Sequence, residues 1–93
     1  MKSYFLCGLH DESAISAGLS ELLPKGADNW LLLSNAGDAI AYFNIETEEV
    51  GPEIHVHISG RHYYEDEKVI NLLRILKSRL GGVIVDDFEN ILI

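Results

Sequence analysis

EIHVHIS, residues 53–59, alternates apolar and polar side chains without a break. In a strand with this pattern the isoleucines and the valine lie on one side, and His55 and His57 lie on the other. An antiparallel sheet commonly packs its apolar face on a core and leaves the second face open. The pattern therefore predicts a strand whose histidines face away from the helices.

Two apolar runs, residues 30–33 and 39–45, precede this strand and are separated by the turn sequence SNAGD. The second run leads through ETEEVGP into residue 53. Asn35 and Gly37 are residues that supply the positive-φ positions of tight hairpins. The three segments therefore predict an antiparallel meander.

The turns of this meander indicate which side chains share its open face. Across ETEEVGP the expected register pairs residues whose numbers sum to 99, which places Tyr42 opposite His57. Asn44 falls opposite His55 by the same count. Across SNAGD the expected register brings Trp30 beside Tyr42, whereas a slip of one residue sends Trp30 into the core. The predicted interaction face comprises Trp30, Tyr42, Asn44, His55, His57 and Ser59.

A strand and a helix lie on each side of the meander. Residues 3–9 and 83–85 are short apolar runs typical of buried strands, and residues 11–23 and 65–80 repeat apolar side chains at the helical period. The chain order is β-α-β-β-β-α-β, and two helices with one such sheet pack best as two layers. The sequence predicts a single α+β domain over residues 1–93, a two-layer sandwich with a mainly antiparallel sheet and both helices on one face. We interpret it as a ferredoxin-like variant with an extra strand.

The charge of the chain limits the classes of partner. The formal net charge is −8, and residues 1–60 carry two Lys against nine Asp or Glu. Such a field repels phosphate backbones and favours encounter with a basic protein, although acidity also serves solubility alone. We therefore expect no nucleic-acid partner. The predicted acidic rim consists of Glu46, Glu48, Glu49 and Glu53.

The single cysteine and the N-terminal residues indicate the compartment. Cys7 has no internal partner for a disulfide, which favours a reducing environment. The apolar run of residues 4–9 is too short for a signal sequence, and no run approaches the ~20 apolar residues of a membrane span. We expect a cytoplasmic protein that does not associate with membranes.

The three histidines in residues 53–62 raise the alternative of a metal site. His55 and His57 could converge on one zinc ion, with His62 folding back as the third ligand. We expect no Cys, Asp or Glu at ligand spacing beside the pair. Without such a ligand the H-x-H pattern is a weak motif, so the favoured assignment has no cofactor.

Catalysis is a further alternative, with His57 as a general base and Tyr42 or Ser59 as its partner. Ser59-Gly60 lacks the flanking glycine of a nucleophile elbow, and the Gly81-Gly82 pair precedes a strand instead of a helix, unlike a phosphate loop. The sequence favours a protein without catalysis and leaves an enzyme open.

The favoured function is a small acidic cytosolic binding protein that acts by protein–protein interaction, as an inhibitor, an immunity-type protein or a regulator. The partner is another protein, with a basic protein as one version, or a second copy of the chain in a homodimer. The alternative is a metal- or small-molecule-binding domain that uses the His55/His57 side of the sheet.

Overall fold

The computed structural model describes residues 2–92. Met1 and Ile93, which the predicted domain also includes, lie outside these residues. The elements in chain order are β1 (Lys2–Cys7), α1 (Glu12–Leu22), β2 (Trp30–Leu33), β3 (Ala39–Glu48), β4 (Gly51–Ile58), a 3₁₀ segment (Gly60–Glu65), α2 (Asp66–Leu80) and β5 (Val83–Asp86).

Local signals in the sequence account for the helix ends. α1 begins after Asp11, whose Oδ1 accepts hydrogen bonds from the backbone N–H groups of Ser13 at 3.0 Å and Ala14 at 3.3 Å. This N-cap satisfies donors that the first turn leaves unpaired. α2 carries two acidic residues in its first turn and two basic residues in its last, which complements the helix dipole. Within residues 2–92, no helix is both long enough and apolar enough to span a membrane.

The five strands form one sheet in the order β2-β3-β4-β1-β5, and each neighbouring pair is antiparallel. Its apolar face and the two helices share one cluster of buried side chains, in which Leu6, Phe43 and Val56 of the sheet join Ile15 of α1 and Leu73 of α2. Both helices therefore cover the same face. The predicted α+β class, with a mainly antiparallel sheet and two helices, is confirmed.

The β3–β4 hairpin has the predicted register along its whole length, with Tyr42 opposite His57. The strands run on to Glu48 and Gly51, so that two residues form the turn instead of the longer loop that was expected. Glu46 and Glu48 therefore continue the row of Tyr42 on the same side of the sheet, because alternate residues of a strand share a face.

The prediction that Trp30 lies on the open face is wrong. Near the turn the expected register holds, with Leu33 opposite Ala39, but Ile40 is then skipped as the extra residue of a β-bulge. Trp30 consequently lies opposite Phe43 and is only 5% exposed. The one-residue shift moves the indole to the core side of the sheet.

The SNAGD turn also differs from expectation at Asn35. Of the two residues expected at positive φ, only Gly37 has it, at 87°. Ser34 stabilises the turn instead, since its Oγ accepts hydrogen bonds from the backbone N–H groups of Ala36 at 3.2 Å and Asp38 at 3.1 Å. A serine side chain bonded to the backbone two residues ahead is a common turn motif.

Candidate functional site

The sheet face opposite the helices carries Tyr42, Asn44, His55 and His57. Tyr42 is 38% exposed, and the other three are half-buried. Ser59 follows the end of β4 and is half-buried. We call this side of the sheet the open face; Trp30 is absent from it. A binding role for these residues stays a prediction.

Strand β1 adds residues to the open face that the sequence interpretation missed. Ser3 lies opposite His57, and Phe5 lies opposite His55. Cys7 lies one step further along the same side and is half-buried. No local signal could have found these neighbours, because the β1–β4 pairing joins residues about half the chain apart.

His57 is hydrogen-bonded to a buried serine. Ser3 Oγ and His57 Nδ1 are 2.9 Å apart, and the tautomer of the imidazole sets which of the two donates. Ser3 is only 8% exposed. The predicted catalytic partners of His57, Tyr42 and Ser59, make no hydrogen bond to its ring in the described chain. The hydrogen bond to Ser3 therefore orients the His57 ring on the open face.

His55 lies among carboxylates, contrary to the expectation that no acidic ligand flanks the histidine pair. Its Nε2 is 3.0 Å from Glu53 Oε1 and 3.8 Å from Glu48 Oε1. Phe5 packs against the imidazole edge to face, with ring centroids 4.8 Å apart. Glu53 could have been identified from the sequence, since residues two apart in a strand share a face. Glu48 required the hairpin register as well.

His62 belongs to a different part of the surface. It lies in the 3₁₀ segment before α2, where its Nδ1 is 2.9 Å from Glu65 Oε2. His55 and His57 have other partners, so the trio proposed as zinc ligands from the sequence is not brought together. Within residues 2–92, the one group of three or more His, Cys, Asp or Glu residues with ligand atoms all within 4.8 Å of one another is Glu48, Glu53 and His55.

A shallow depression of about 240 Å³ adjoins this group, with Glu53, His55, Phe5 and Cys7 in its lining. Burial raises the pKa of the Cys7 thiol to about 11, and the neighbouring Glu53 carboxylate adds to the rise. A thiol with that pKa is protonated at neutral pH and is a poor nucleophile.

Carboxylates border the open face at the turn between β3 and β4. In the acidic rim, Glu46, Glu48 and Glu49 are exposed and Glu53 is half-buried. Within residues 2–92, none of the four forms an ion pair with Lys or Arg. Glu46 also lies directly opposite Glu53, an arrangement of like charges that destabilises a sheet unless something compensates. The rim therefore has a negative field that attracts cations and basic groups.

A second acidic depression lies round the sheet edge from the rim, between the start of α1 and strands β2 and β3. It is a groove of about 680 Å³, lined by the carboxylates of Glu12, Asp28 and Glu46 and by the edges of Trp30 and Ile45, among others. A lining that combines carboxylates with some apolar surface suits the aliphatic stem and charged head of a lysine or arginine side chain.

Comparison with protein-family models, with curated proteins and with solved structures finds no match to this chain.

Proposed function

We propose that this chain is a non-catalytic protein-binding domain whose open face, bordered by the acidic rim, binds a basic protein. The observation that carries the proposal is the row formed by Tyr42 and His57, which stands at the centre of a helix-free sheet face. The carboxylates at the end of this face near the β3–β4 turn have no Lys or Arg partner in the described chain. The role resembles that of an inhibitor, an immunity-type protein or a regulator.

The side chains of the open face support binding to a protein surface. The strand register places five aromatic or apolar residues on the same side of the sheet as the histidines: Phe5, Leu31, Tyr42, Val83 and Val85. Protein interfaces favour such a mixture of aromatic and apolar side chains at the centre with polar groups at the margin.

The charge of the chain supports a basic partner over a second copy. Each copy carries a net charge of −8, so two copies repel at long range whereas a basic protein is attracted. The acidic groove beside Trp30 adds carboxylates on the same flank as Glu46. We place the interaction in the cytoplasm because Cys7, the chain's single cysteine, suits a reducing compartment.

Affinity capture from a lysate of the source cell tests the proposal. The bait is the wild-type chain, compared with Tyr42→Asp, which puts a charge at the centre of the open face. Asn71→Asp is the matched control, because it adds the same charge at an exposed position of α2 on the opposite side of the molecule. We expect a basic protein to co-purify with the wild type and with Asn71→Asp but not with Tyr42→Asp.

Three results would contradict the proposal. One is capture that Tyr42→Asp leaves unchanged. Another is the capture of acidic proteins alone. The third is a homodimer that Tyr42→Asp converts to a folded monomer, which would make a second copy the partner.

The ferredoxin-like relationship is also a proposal. Strands β3, β4, β1 and β5 are adjacent in that order. Helix α2 connects β4 to β5 across β1, and α1 connects β1 to β2 across β4 and β3. Both features support a split β-α-β arrangement. In this interpretation β2 is the added strand, and it lies at the edge of the sheet.

A further inference from the structure

Glu48, Glu53 and His55 form a compact set of one nitrogen and two oxygen ligands near the turn of the β3–β4 hairpin. His55 Nε2 is 3.0 Å from one glutamate oxygen and 3.8 Å from the other. A tetrahedral zinc ion with bonds of ~2.0–2.2 Å holds its ligand atoms about 3.4 Å apart. The two observed separations lie on either side of that value, and all three ligand atoms lie within 4.8 Å of one another.

The strand framework holds two of the three ligands in place. Glu53 and His55 are two residues apart on β4, and their side chains are 17% and 19% exposed. Phe5 packs against the His55 ring from the neighbouring strand and limits its rotation. Glu48 reaches the pair across the two-residue turn and has a side chain that is 48% exposed. The third ligand can therefore close over an ion that enters from solvent.

Charge at this position favours a cation. Two carboxylates face one imidazole, and Glu46 lies across the sheet from Glu53. None of these carboxylates forms an ion pair with Lys or Arg in the described chain. A divalent ion would compensate the opposed carboxylates.

We propose that Glu48, Glu53 and His55 bind one divalent transition-metal ion of the zinc class. The imidazole nitrogen selects for this class over Mg²⁺ and Ca²⁺, which prefer all-oxygen sites. Three protein ligands leave a fourth position for water or an exogenous group. The proposal does not rest on protein binding by the open face, and it replaces the trio of His55, His57 and His62 with a set that shares only His55.

Calorimetric titration of the purified metal-free chain with Zn²⁺ tests the site. We expect one equivalent to bind, with an affinity at least about tenfold lower in His55→Ala and Glu53→Gln. Glu48→Gln is expected to have the same effect at an exposed position, so it keeps the test valid if a change at β4 impairs folding. Mg²⁺ in place of Zn²⁺ is expected to give no comparable binding.

Two control variants separate this site from other ways of binding zinc. His57→Ala removes the neighbouring histidine, and Glu49→Gln removes a rim carboxylate outside the ligand set. Both are expected to bind Zn²⁺ as the wild type does. The proposal is overturned if the wild type does not bind Zn²⁺, if Glu48→Gln and His55→Ala bind it unchanged, or if His57→Ala loses binding equally.

Discussion

Asp66 links β1 to the start of α2. Its Oδ2 accepts hydrogen bonds from Lys2 Nζ at 2.7 Å and from the Tyr4 hydroxyl at 3.1 Å. The Lys2 ammonium holds the pKa of Asp66 below its ordinary value, and the Tyr4 hydroxyl adds to the effect. Because the folded-state pKa is depressed, this stabilisation is present above the unfolded pKa of about 3.9 and is lost as pH falls through the folded pKa.

Asp66→Asn tests that contribution. We expect the variant to lose about 0.5–1 kcal/mol of unfolding free energy at pH 7, since the pair is partly exposed and screened by solvent. The deficit should be smaller at pH 3, because below about 3.9 the unfolded chain takes up a proton that the folded carboxylate, with its lowered pKa, resists. Urea denaturation at both pH values measures it, with Asp38→Asn as a control carboxylate in an exposed turn. A deficit that is as large at pH 3 as at pH 7 would rule out the ionic origin.

Gly82 is a residue at which even a substitution by alanine should strongly reduce the free energy of unfolding. Its φ is 91°, and a Cβ added there would collide with the Cys7 carbonyl oxygen. Gly81 has a φ of 82° but open space around it, and Gly60 has neither constraint. We expect Gly82→Ala to cost more than about 3 kcal/mol, Gly81→Ala about 1–2 kcal/mol and Gly60→Ala less than about 0.5 kcal/mol. Equal urea midpoints for Gly81→Ala and Gly82→Ala would contradict the close approach of β1 and β5.

At the scale of the element, the bulge in β3 determines where the chain's single tryptophan lies. Trp30 Nε1 donates a hydrogen bond to Ser20 Oγ of α1 at 3.0 Å, so the indole joins β2 to a helix. We expect native fluorescence at shorter wavelength than that of the unfolded chain, with weak quenching by iodide. If the native chain had the same emission wavelength and the same iodide quenching as the unfolded chain, Trp30 would be exposed and not buried in the core.

The two hairpins show which parts of the fold the sequence determines. In β4 the apolar residues alternate strictly, so a slip of one residue would bury His55 and His57, and one register of the β3–β4 pair is strongly favoured. In β2, residues 30–33 are all apolar, so both registers bury a similar surface and the bulge at Ile40 leaves no local signal. The pairing of Ser3 with His57 likewise leaves no local signal, because the two residues are far apart in the sequence.

The candidate metal ligands also differ in whether the sequence alone identifies them. Glu53 is visible from its spacing to His55, whereas Glu48 becomes a neighbour only because the turn contains two residues. Strand periodicity does not specify side-chain conformations, so it could not predict that the carboxylates of Glu48 and Glu53 both lie close to the His55 ring.

At the scale of the whole molecule, the net charge of −8 should govern association. We expect the isolated chain to be monomeric at low ionic strength, because like-charged copies repel. With a basic partner, Glu46→Gln/Glu49→Gln should slow association and weaken its salt dependence while leaving the two glutamate ligands intact. Light scattering and association kinetics at two salt concentrations measure these effects; a dimer that strengthens at low salt would contradict the first expectation.

The central claim is that the open face, and not the helix layer, contacts a protein partner. The most direct measurement is photo-cross-linking in the source cell, with a photoreactive amino acid at position 42 in one sample and at position 71 in the other. Both positions are exposed, on opposite sides of the molecule. We expect a discrete adduct with a basic protein from position 42 and none from position 71. An adduct from position 71 alone, or no adduct from position 42, would contradict binding through the open face.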